Sequence, residues 1–178
     1  QKMNTFLKKY TIFETNSGLF GLAGQIKGLA KTTLPVRSRS AAKNLLLCDF
    51  GPAEYEQNYF GSLQKDIKSY FNGTYAENFE NTPLVLDGLS DFAIKILTAC
   101  RNVSFGQTIS YAKLASLADF PGAFRATGTV LAKNPLPLMI PCHRIIKSDG
   151  SIGRFTAPGG TKQKLSLLQL EKQILCKE

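Results

Sequence analysis

The sequence has few residues of the kinds that build metal sites, disulfide scaffolds or membrane spans. It contains one histidine, His143, and four cysteines without a CxxC pair: Cys48, Cys100, Cys142 and Cys176. A structural zinc site would need most of its ligands from those scattered cysteines, so we expect no metal. Cysteine spacing of this kind favours a reducing compartment over a disulfide framework.

No apolar run approaches the roughly 20 residues that a membrane-spanning helix needs. The first residues, QKMNTFLKKY, carry charges without a following apolar segment, so no secretion signal is predicted. We therefore expect a protein without a membrane partner, located in the cytoplasm or the nucleus.

The chain is basic, with 22 Lys and Arg against 13 Asp and Glu, a formal net charge of +9. The excess is concentrated late: residues 1–103 carry a net charge of +3, and residues 104–178 carry +6. Lysine and arginine near phosphates release condensed counterions, so a polyanionic partner is expected for the second part. Charge alone leaves nucleic acid, a membrane surface and a merely soluble basic surface open.

The first half predicts a small sheet and helices. Short extended segments lie between Tyr10 and Leu34, broken by an Asn16-Ser17-Gly18 turn that is typical of a hairpin. Ser38 or Ser40 can cap a helix through Leu47, and a second helix is predicted from Pro52 to Ser69.

The second half predicts mainly helices. Apolar residues cluster over 92–97, and Ser110 can cap a helix through Ala118. A further helix over 122–133 follows a tight turn, so the two form a helix-turn-helix candidate. A closing helix carries Leu165, Leu168 and Ile174, which we expect in the core. The turn-rich stretch 72–83 is predicted to connect two domains, 1–83 and 84–178, in an α/β (α+β) fold.

Cys142 and His143 form the first candidate for chemistry. A thiol is a better nucleophile as its thiolate, and imidazole is the usual proton acceptor nearby. Adjacent residues of an extended chain point to opposite sides, so a bridging water or a sharp turn at Pro141 would be needed to couple the two. Taken alone, the dipeptide leaves a buried structural cysteine open.

A wider pattern surrounds the run Pro141-Cys142-His143-Arg144 between Phe105 and Glu171. It consists of Ile109-Ser110-Tyr111-x-x-Leu114-Ala115, Arg125-Ala126-x-Gly128, Asn134-Pro135, Gly150, Gly153 and Lys164-x-x-Leu167-Leu168-x-x-Glu171. This pattern resembles the O6-alkylguanine-DNA alkyltransferase family. The amino-terminal part resembles the family only loosely, through Ser17-Gly18-Leu19, Gly24 and Lys27-Gly28-Leu29.

The resemblance implies a ribonuclease H-like amino-terminal domain followed by a DNA-binding and alkyl-acceptor domain. It implies repair by irreversible, stoichiometric transfer of the alkyl group from O6-alkylguanine, and also from O4-alkylthymine, with no cofactor. Cys142 would accept the alkyl group and His143 would take the thiol proton through a water. Glu171 would orient His143, and Asn134 would tie the helical segment to the active loop. Without the family, Glu171 reads as a solvated helix acid.

The resemblance also implies a monomer that binds double-stranded DNA through the minor groove and rotates the damaged nucleotide out of the duplex. Arg125 would fill the vacated place, and Tyr111 would crowd the phosphate and bond the base. Close approach to the groove would rely on the small residues Ala123, Ala126 and Gly128. The base would contact Phe155 and Thr156.

Four features depart from the family pattern. Phe124 is bulky where a small or medium side chain is expected, although an inward-facing ring would remove that difficulty. Phe155 lacks the hydroxyl of a tyrosine, Thr156 replaces a serine, and Ala157-Pro158 is an insertion. The size of alkyl group that the pocket accepts therefore stays open.

Three other functions compete. An alkyltransferase-like protein would bind the lesion without transfer, but such proteins have another residue at the position of Cys142. A cysteine hydrolase would turn over, yet it leaves the helix-turn-helix unexplained. A DNA-binding regulator with a structural Cys142 does not account for the Pro-Cys-His-Arg run.

Overall fold

The computed structural model describes residues 7–74 and 79–177, and the chain divides into two compact units, Gln1–Val85 and Leu86–Glu178. The first unit holds a sheet with helices, and the second is mainly helical. The predicted α/β class is therefore confirmed. No helix in the described part of the chain is long and apolar enough to cross a membrane.

The first unit is built on a four-stranded sheet with the order β3-β2-β1-β4. The hairpin of β1 (Lys9–Thr15) and β2 (Gly18–Gln25) is antiparallel, and β3 (Gly28–Val36) continues it. The short β4 (Glu54–Tyr55) pairs with β1 in parallel. The hairpin thus turns at the Asn-Ser-Gly segment, as the sequence predicts.

Two helices, α1 (Arg39–Leu47) and α2 (Gly61–Phe71), belong to this unit. Ser38 caps α1, because its side chain accepts a hydrogen bond from the Ala41 N–H. The inward face of α1, Ala42 and Leu46, packs with strand residues in the core: Tyr10, Ile12 and Ala23. Of the two predicted caps for this helix, Ser38 is therefore the one used.

The prediction that a helix begins at Pro52 is wrong. The Glu54 N–H donates to the Lys8 carbonyl and the Glu56 N–H donates to the Tyr10 carbonyl, both at 2.9 Å. The open edge of β1 therefore satisfies the backbone of this segment as a strand. The helix starts only at Gly61, after Phe60 with a φ of 54°.

The predicted connection at 72–83 includes residues 75–78, which lie outside the described residues, and a short 3-10 turn at Phe79–Asn81. Its end pairs with the sheet: the Leu29 N–H donates to the Pro83 carbonyl, and the Val85 N–H donates to the Leu29 carbonyl, both at 2.8 Å. Because β3 is an edge strand, this pairing covers otherwise unpaired backbone groups.

In its described residues, the second unit contains four α-helices and a small parallel ribbon. The helices are α3 (Asp91–Arg101), α4 (Tyr111–Leu117), α5 (Phe124–Ala132) and α6 (Gly160–Leu175). Ser110 caps α4 through the Lys113 N–H, and the turn at 118–123 joins α4 to α5 in the predicted helix-turn-helix arrangement. The ribbon pairs β5 (Ile109–Ser110) with β6 (Ile145–Ile146).

The predicted apolar stripe on the closing helix α6 is wrong at Leu165, which is 38% exposed. The buried face of α6 consists instead of Lys164, Leu167, Glu171 and Ile174. Two charged residues thus face inward, because both have polar partners in the interior. Hydrophobic spacing alone could not place them there.

Gly28 provides a test of the contact between β3 and the end of the connection. Its φ is +146°, and a Cβ at this position would lie 2.4 Å from the Pro83 carbonyl oxygen. We expect Gly28→Ala to lower the free energy of unfolding by about 1–3 kcal/mol or more, because the backbone strain alone costs that much. Urea unfolding measures this change.

Gly61→Ala is the matched control, since Gly61 lies outside the positive-φ range and a Cβ there would meet no atom within 4 Å. Equal unfolding midpoints for the two variants would show that the contact at Pro83 does not constrain the fold.

Candidate active site

Cys142 begins a 3-10 turn, Cys142–Arg144, that follows Pro141 with a ψ of 62°. The chain therefore bends sharply at Pro141. The Cys142 side chain is buried, with 7% exposure, and lines a cavity of about 830 Å³ in the second unit. A ligand that enters this cavity can reach the sulfur.

The Asn134 side chain fixes the loop that leads to Cys142. Its Oδ1 accepts from the Leu136 N–H at 3.0 Å, and its Nδ2 donates to the Ile140 carbonyl at 2.9 Å. The Ile140 carbonyl also accepts from the Cys142 N–H at 2.7 Å. One amide thus joins the end of α5 to the residue before Pro141, which positions the thiol.

His143 is fully buried, and its Nε2 lies 2.7 Å from Oε1 of Glu171. Burial raises the pKa of Glu171, but the bonds from His143 and Arg144 and their charges outweigh it and lower that pKa to about 2. The carboxylate is therefore ionised and only accepts hydrogen bonds. Nε2 must then carry the ring hydrogen, which leaves Nδ1 with a lone pair. Within the described residues, no group bonds to Nδ1.

Burial lowers the pKa of His143, as do the charges of Arg144 and Lys164, while Glu171 acts in the opposite direction. The imidazole is therefore neutral near pH 7. A neutral ring whose Nδ1 lone pair has no hydrogen-bond donor among the described residues can accept a proton, which is the property that a general base needs.

Glu171 has three further donors. Arg144 Nε donates to Oε2 at 3.0 Å, Arg144 NH2 donates to Oε1 at 2.9 Å, and the Gly106 N–H donates to Oε2 at 3.0 Å. Arg144 NH1 also bonds the Val103 carbonyl at 2.6 Å. Glu171 is thus a fully buried carboxylate that accepts several hydrogen bonds, and it is not a solvated helix acid.

The Cys142 thiol is subject to opposing influences. Burial raises its pKa, while a hydrogen bond from Asn134 and the charge of Lys164 act to lower it. The net shift is upward, so the resting group is a thiol. Formation of a thiolate therefore requires a proton acceptor at the site.

Lys164 is a site residue to which the sequence analysis assigned no role. It is fully buried, and its Nζ donates to the Ile145 carbonyl. The ammonium lies 5.6 Å from the ring centroid of Tyr111 and 5.9 Å from that of Phe155. Burial lowers its pKa to about 8, against the influence of Cys142. In the sequence, the helical spacing of Lys164, Leu167 and Glu171 could have indicated that the three share one face of α6.

The cavity brings together most of the residues predicted to meet DNA. Its lining includes Tyr111, Arg125, Gly128, Cys142, Phe155 and Thr156. Ala123 and Ala126 lie at the same end of α5 but do not line it. The Thr156 hydroxyl donates to the Ala132 carbonyl at 2.7 Å, so its proton is already engaged.

The structure locates the residues that depart from the family pattern. Phe124 is 46% exposed, so the inward-facing ring that would remove the difficulty is not found. Phe155 is part of the cavity wall, and Ala157-Pro158 leads into α6, where the Gly160 N–H donates to the Ala157 carbonyl. The two residues therefore form part of the turn that leads into α6.

Within the described residues, the cysteines form neither a disulfide nor part of a metal site. All four cysteines are free; Cys100 is buried and Cys48 and Cys176 are exposed. Over residues 7–74 and 79–177, no group of three or more His, Cys, Asp or Glu side chains could hold a metal ion.

Comparison with known proteins identifies relatives. A family profile, "6-O-methylguanine DNA methyltransferase, DNA binding domain", matches residues 91–173. The methylated-DNA–protein-cysteine methyltransferase of Cricetulus griseus is 46% identical over 194 residues, covering 96% of this chain and 87% of that protein. The protein of the same name from Methanosarcina barkeri is 31% identical, covering 93% and 98%. The match to the Mus musculus protein is 51% identical but covers only 27% of it.

Solved structures are similar as well. Mycobacterium tuberculosis OGT in complex with DNA superimposes with a TM-score of 0.76 at 26% identity, covering 93% of this chain and 94% of that one. Mycobacterium tuberculosis O6-methylguanine methyltransferase gives a TM-score of 0.72 at 26% identity, covering 93% of both. Identity and coverage of this extent confirm the resemblance seen in the sequence, and the chain belongs to the methylated-DNA–protein-cysteine methyltransferase family.

Proposed function

We propose that this protein repairs DNA by moving the alkyl group of O6-alkylguanine onto its own Cys142, irreversibly and once per molecule. The observation that carries the proposal is the buried pair of His143 and Glu171, in which His143 directly follows Cys142, whose side chain lines a large cavity. O4-alkylthymine is a second substrate of the same chemistry. We assign the reaction to residues 84–178 and a supporting role to residues 1–83.

The proposed reaction is a single displacement at the alkyl carbon. The Cys142 sulfur attacks that carbon, the S–C bond forms and the bond between carbon and the guanine oxygen breaks. The thiol proton passes through a water to Nδ1 of His143, and the departing guanine takes up one proton from solvent. The imidazolium then returns its proton to solvent, so the sum is thiol plus O6-alkylguanine giving thioether plus guanine. Glu171 stabilises the charged imidazolium and keeps the lone pair on Nδ1 in the neutral state. The product is a thioether, which is a poor leaving group, so the reaction ends there.

Access to the sulfur requires the damaged nucleotide to leave the stack, because O6 lies within the duplex and Cys142 lies inside a cavity. Arg125 is exposed where it lines the cavity and is proposed to fill the vacated place. Tyr111, at the start of α4, is proposed to crowd the phosphate. Thr156 can donate to O6 only by releasing the Ala132 carbonyl.

We further propose that the partner is double-stranded DNA bound by a monomer through the minor groove. The helix-turn-helix carries small residues where a close approach is needed, namely Ala123, Ala126 and Gly128. The cavity is lined by basic residues and by no Asp or Glu: Arg125, Lys133, Lys147 and Arg154. Such a surface attracts phosphates without reading sequence.

The central prediction is stoichiometric self-alkylation. Incubation with duplex DNA containing O6-methylguanine should add one methyl group per molecule, on the peptide that carries Cys142, as measured by mass spectrometry. Cys142→Ala should abolish transfer while retaining DNA affinity, since affinity comes from phosphate contacts.

Cys176→Ala, which removes an exposed thiol, is the control and should transfer normally. Sustained turnover would exclude the single-use mechanism, and unchanged mass with tight lesion binding would favour a binding protein.

Glu171→Gln tests the buried pair. It leaves the Arg144 guanidinium buried without its counterion, so the free energy of unfolding should fall by about 3–5 kcal/mol. Transfer should slow, because the charged imidazolium loses its partner. Urea unfolding and single-turnover rates measure the two effects.

The stability that Glu171 contributes should depend on pH. The pKa of its carboxyl group is lowered from 4.5 to about 2, so its contribution to the free energy of unfolding is present above pH 4.5 and is lost as the pH falls toward 2. The stability gap between wild type and Glu171→Gln should shrink over that interval. Asp119→Asn, at an exposed position, should show no such gap.

Lys164→Met tests the electrostatic support of the sulfur. Removing the ammonium should raise the pKa of Cys142 further, so the transfer rate at pH 7 should fall and the midpoint of its pH profile should move upward. Stability should change little, because the loss of the bond to the Ile145 carbonyl opposes the gain from replacing a buried charge by an apolar chain of similar length. Lys162→Met, on the exposed face of α6, is the control. An unchanged pH midpoint for Lys164→Met would remove Lys164 from the mechanism.

A further inference from the structure

Phe124 is an unusual residue for its position. It is the first residue of α5, its ring is 46% exposed, and it lines the cavity that contains Cys142. Three other large hydrophobic side chains in the described part of the second unit are exposed: Leu117, Leu165 and Leu175. None of these lines the cavity. The exposed ring of Phe124 is therefore placed at the cavity entrance and is not simply one of several surface hydrophobics.

The ring lies beside the proposed finger residue. The Arg125 guanidinium is 5.7 Å from the centroid of Phe124, within the range of a cation–π contact. Two adjacent planar groups thus stand at the start of α5, one charged and one aromatic. A planar aromatic face can stack on any base, whatever the sequence.

The surroundings of the ring suit a nucleic acid. Basic side chains share the lining of the cavity, and no Asp or Glu is part of it. Proteins that bind the minor groove often insert apolar side chains between base steps, which unstacks the bases and bends the duplex. An aromatic ring next to the cavity is positioned to do this where a nucleotide has to leave the stack.

We propose that Phe124 is a second DNA-distorting residue, whose ring wedges against the base next to the extruded nucleotide while Arg125 fills the vacated place. This proposal rests on the proposed function and concerns the extrusion step. The wedge offsets part of the lost stacking, so Phe124 accelerates transfer from duplex DNA. It has no such part in transfer from a free base, which needs no extrusion.

The experiment compares two substrates in single-turnover assays: duplex DNA containing O6-methylguanine, and the free base O6-benzylguanine. Phe124→Ala should lower the duplex rate roughly tenfold and change the free-base rate less than twofold. Phe124→Leu keeps an apolar side chain but not the aromatic face, and should be nearly as slow on duplex. Leu117→Ala, at a 55% exposed position on α4 outside the cavity, should match wild type on both substrates.

A second readout does not depend on transfer. In the Cys142→Ser background, 2-aminopurine placed next to O6-methylguanine in the duplex should brighten on protein binding, because extrusion removes its stacking on the damaged base and the ring replaces that stacking only in part. The increase therefore reports how much of the damaged nucleotide is extruded. Phe124→Ala should remove at least half of that increase, and Leu117→Ala should not.

The outcomes separate the two proposals. A duplex rate and a fluorescence increase that are both unchanged in Phe124→Ala would overturn the wedge. Equal losses on duplex and free base would instead make Phe124 a wall of the cavity, which also overturns it. Failure of wild type to transfer from either substrate would overturn the proposed function, while the fluorescence still tests the wedge.

Discussion

The carboxylate of Glu171 is the point on which the active region of the second unit depends. An ionised carboxylate in the interior is unfavourable unless its oxygens are well bonded, and here His143, Arg144 and the Gly106 N–H supply the donors. Through these bonds α6 is fastened to the active turn and to the loop after α3. Loss of the charge would release all of these elements together, so the geometry of the cysteine turn and the stability of the unit have a common origin.

The same helix supplies the opposite charge. Lys164 and Glu171 both face inward on α6, with Leu167 between them along the buried face. In the proposed reaction, a proton moves from sulfur to imidazole, which creates a negative and a positive charge in a buried site. Glu171 stabilises the positive charge, and Lys164 stabilises the negative one. One helix thus supports both halves of a charge separation that burial alone would oppose.

The rim of the cavity contains residues that depart from the pattern expected for the family. Phe124 adds an exposed aromatic ring, Phe155 presents no hydroxyl, and the hydroxyl of Thr156 is bonded to the Ala132 carbonyl. The chemistry beneath Cys142 is held by buried, mutually dependent contacts, whereas the rim residues have fewer partners. In the proposed reaction, this entrance is where DNA approaches and where the size of the alkyl group is set.

Features that depend on neighbouring residues are predictable from the sequence. The hairpin turn, the Ser38 and Ser110 caps and the helix-turn-helix all follow from short-range backbone hydrogen bonding. The family, and with it the identity of Cys142 as the residue to examine, was also readable from a linear pattern that spans Phe105 to Glu171.

Tertiary structure alone decided the features that depend on distant partners. Residues after Pro52 form strand β4 instead of a helix, because the edge of β1 offers backbone acceptors that local propensity does not register. Lys164 faces inward because the Ile145 carbonyl, 19 residues away in sequence, accepts a hydrogen bond from its ammonium group. The lone pair of His143 is assigned to Nδ1 by a carboxylate 28 residues away. A buried polar group is placed by the partner that satisfies it, and that partner is known only when the chain has folded.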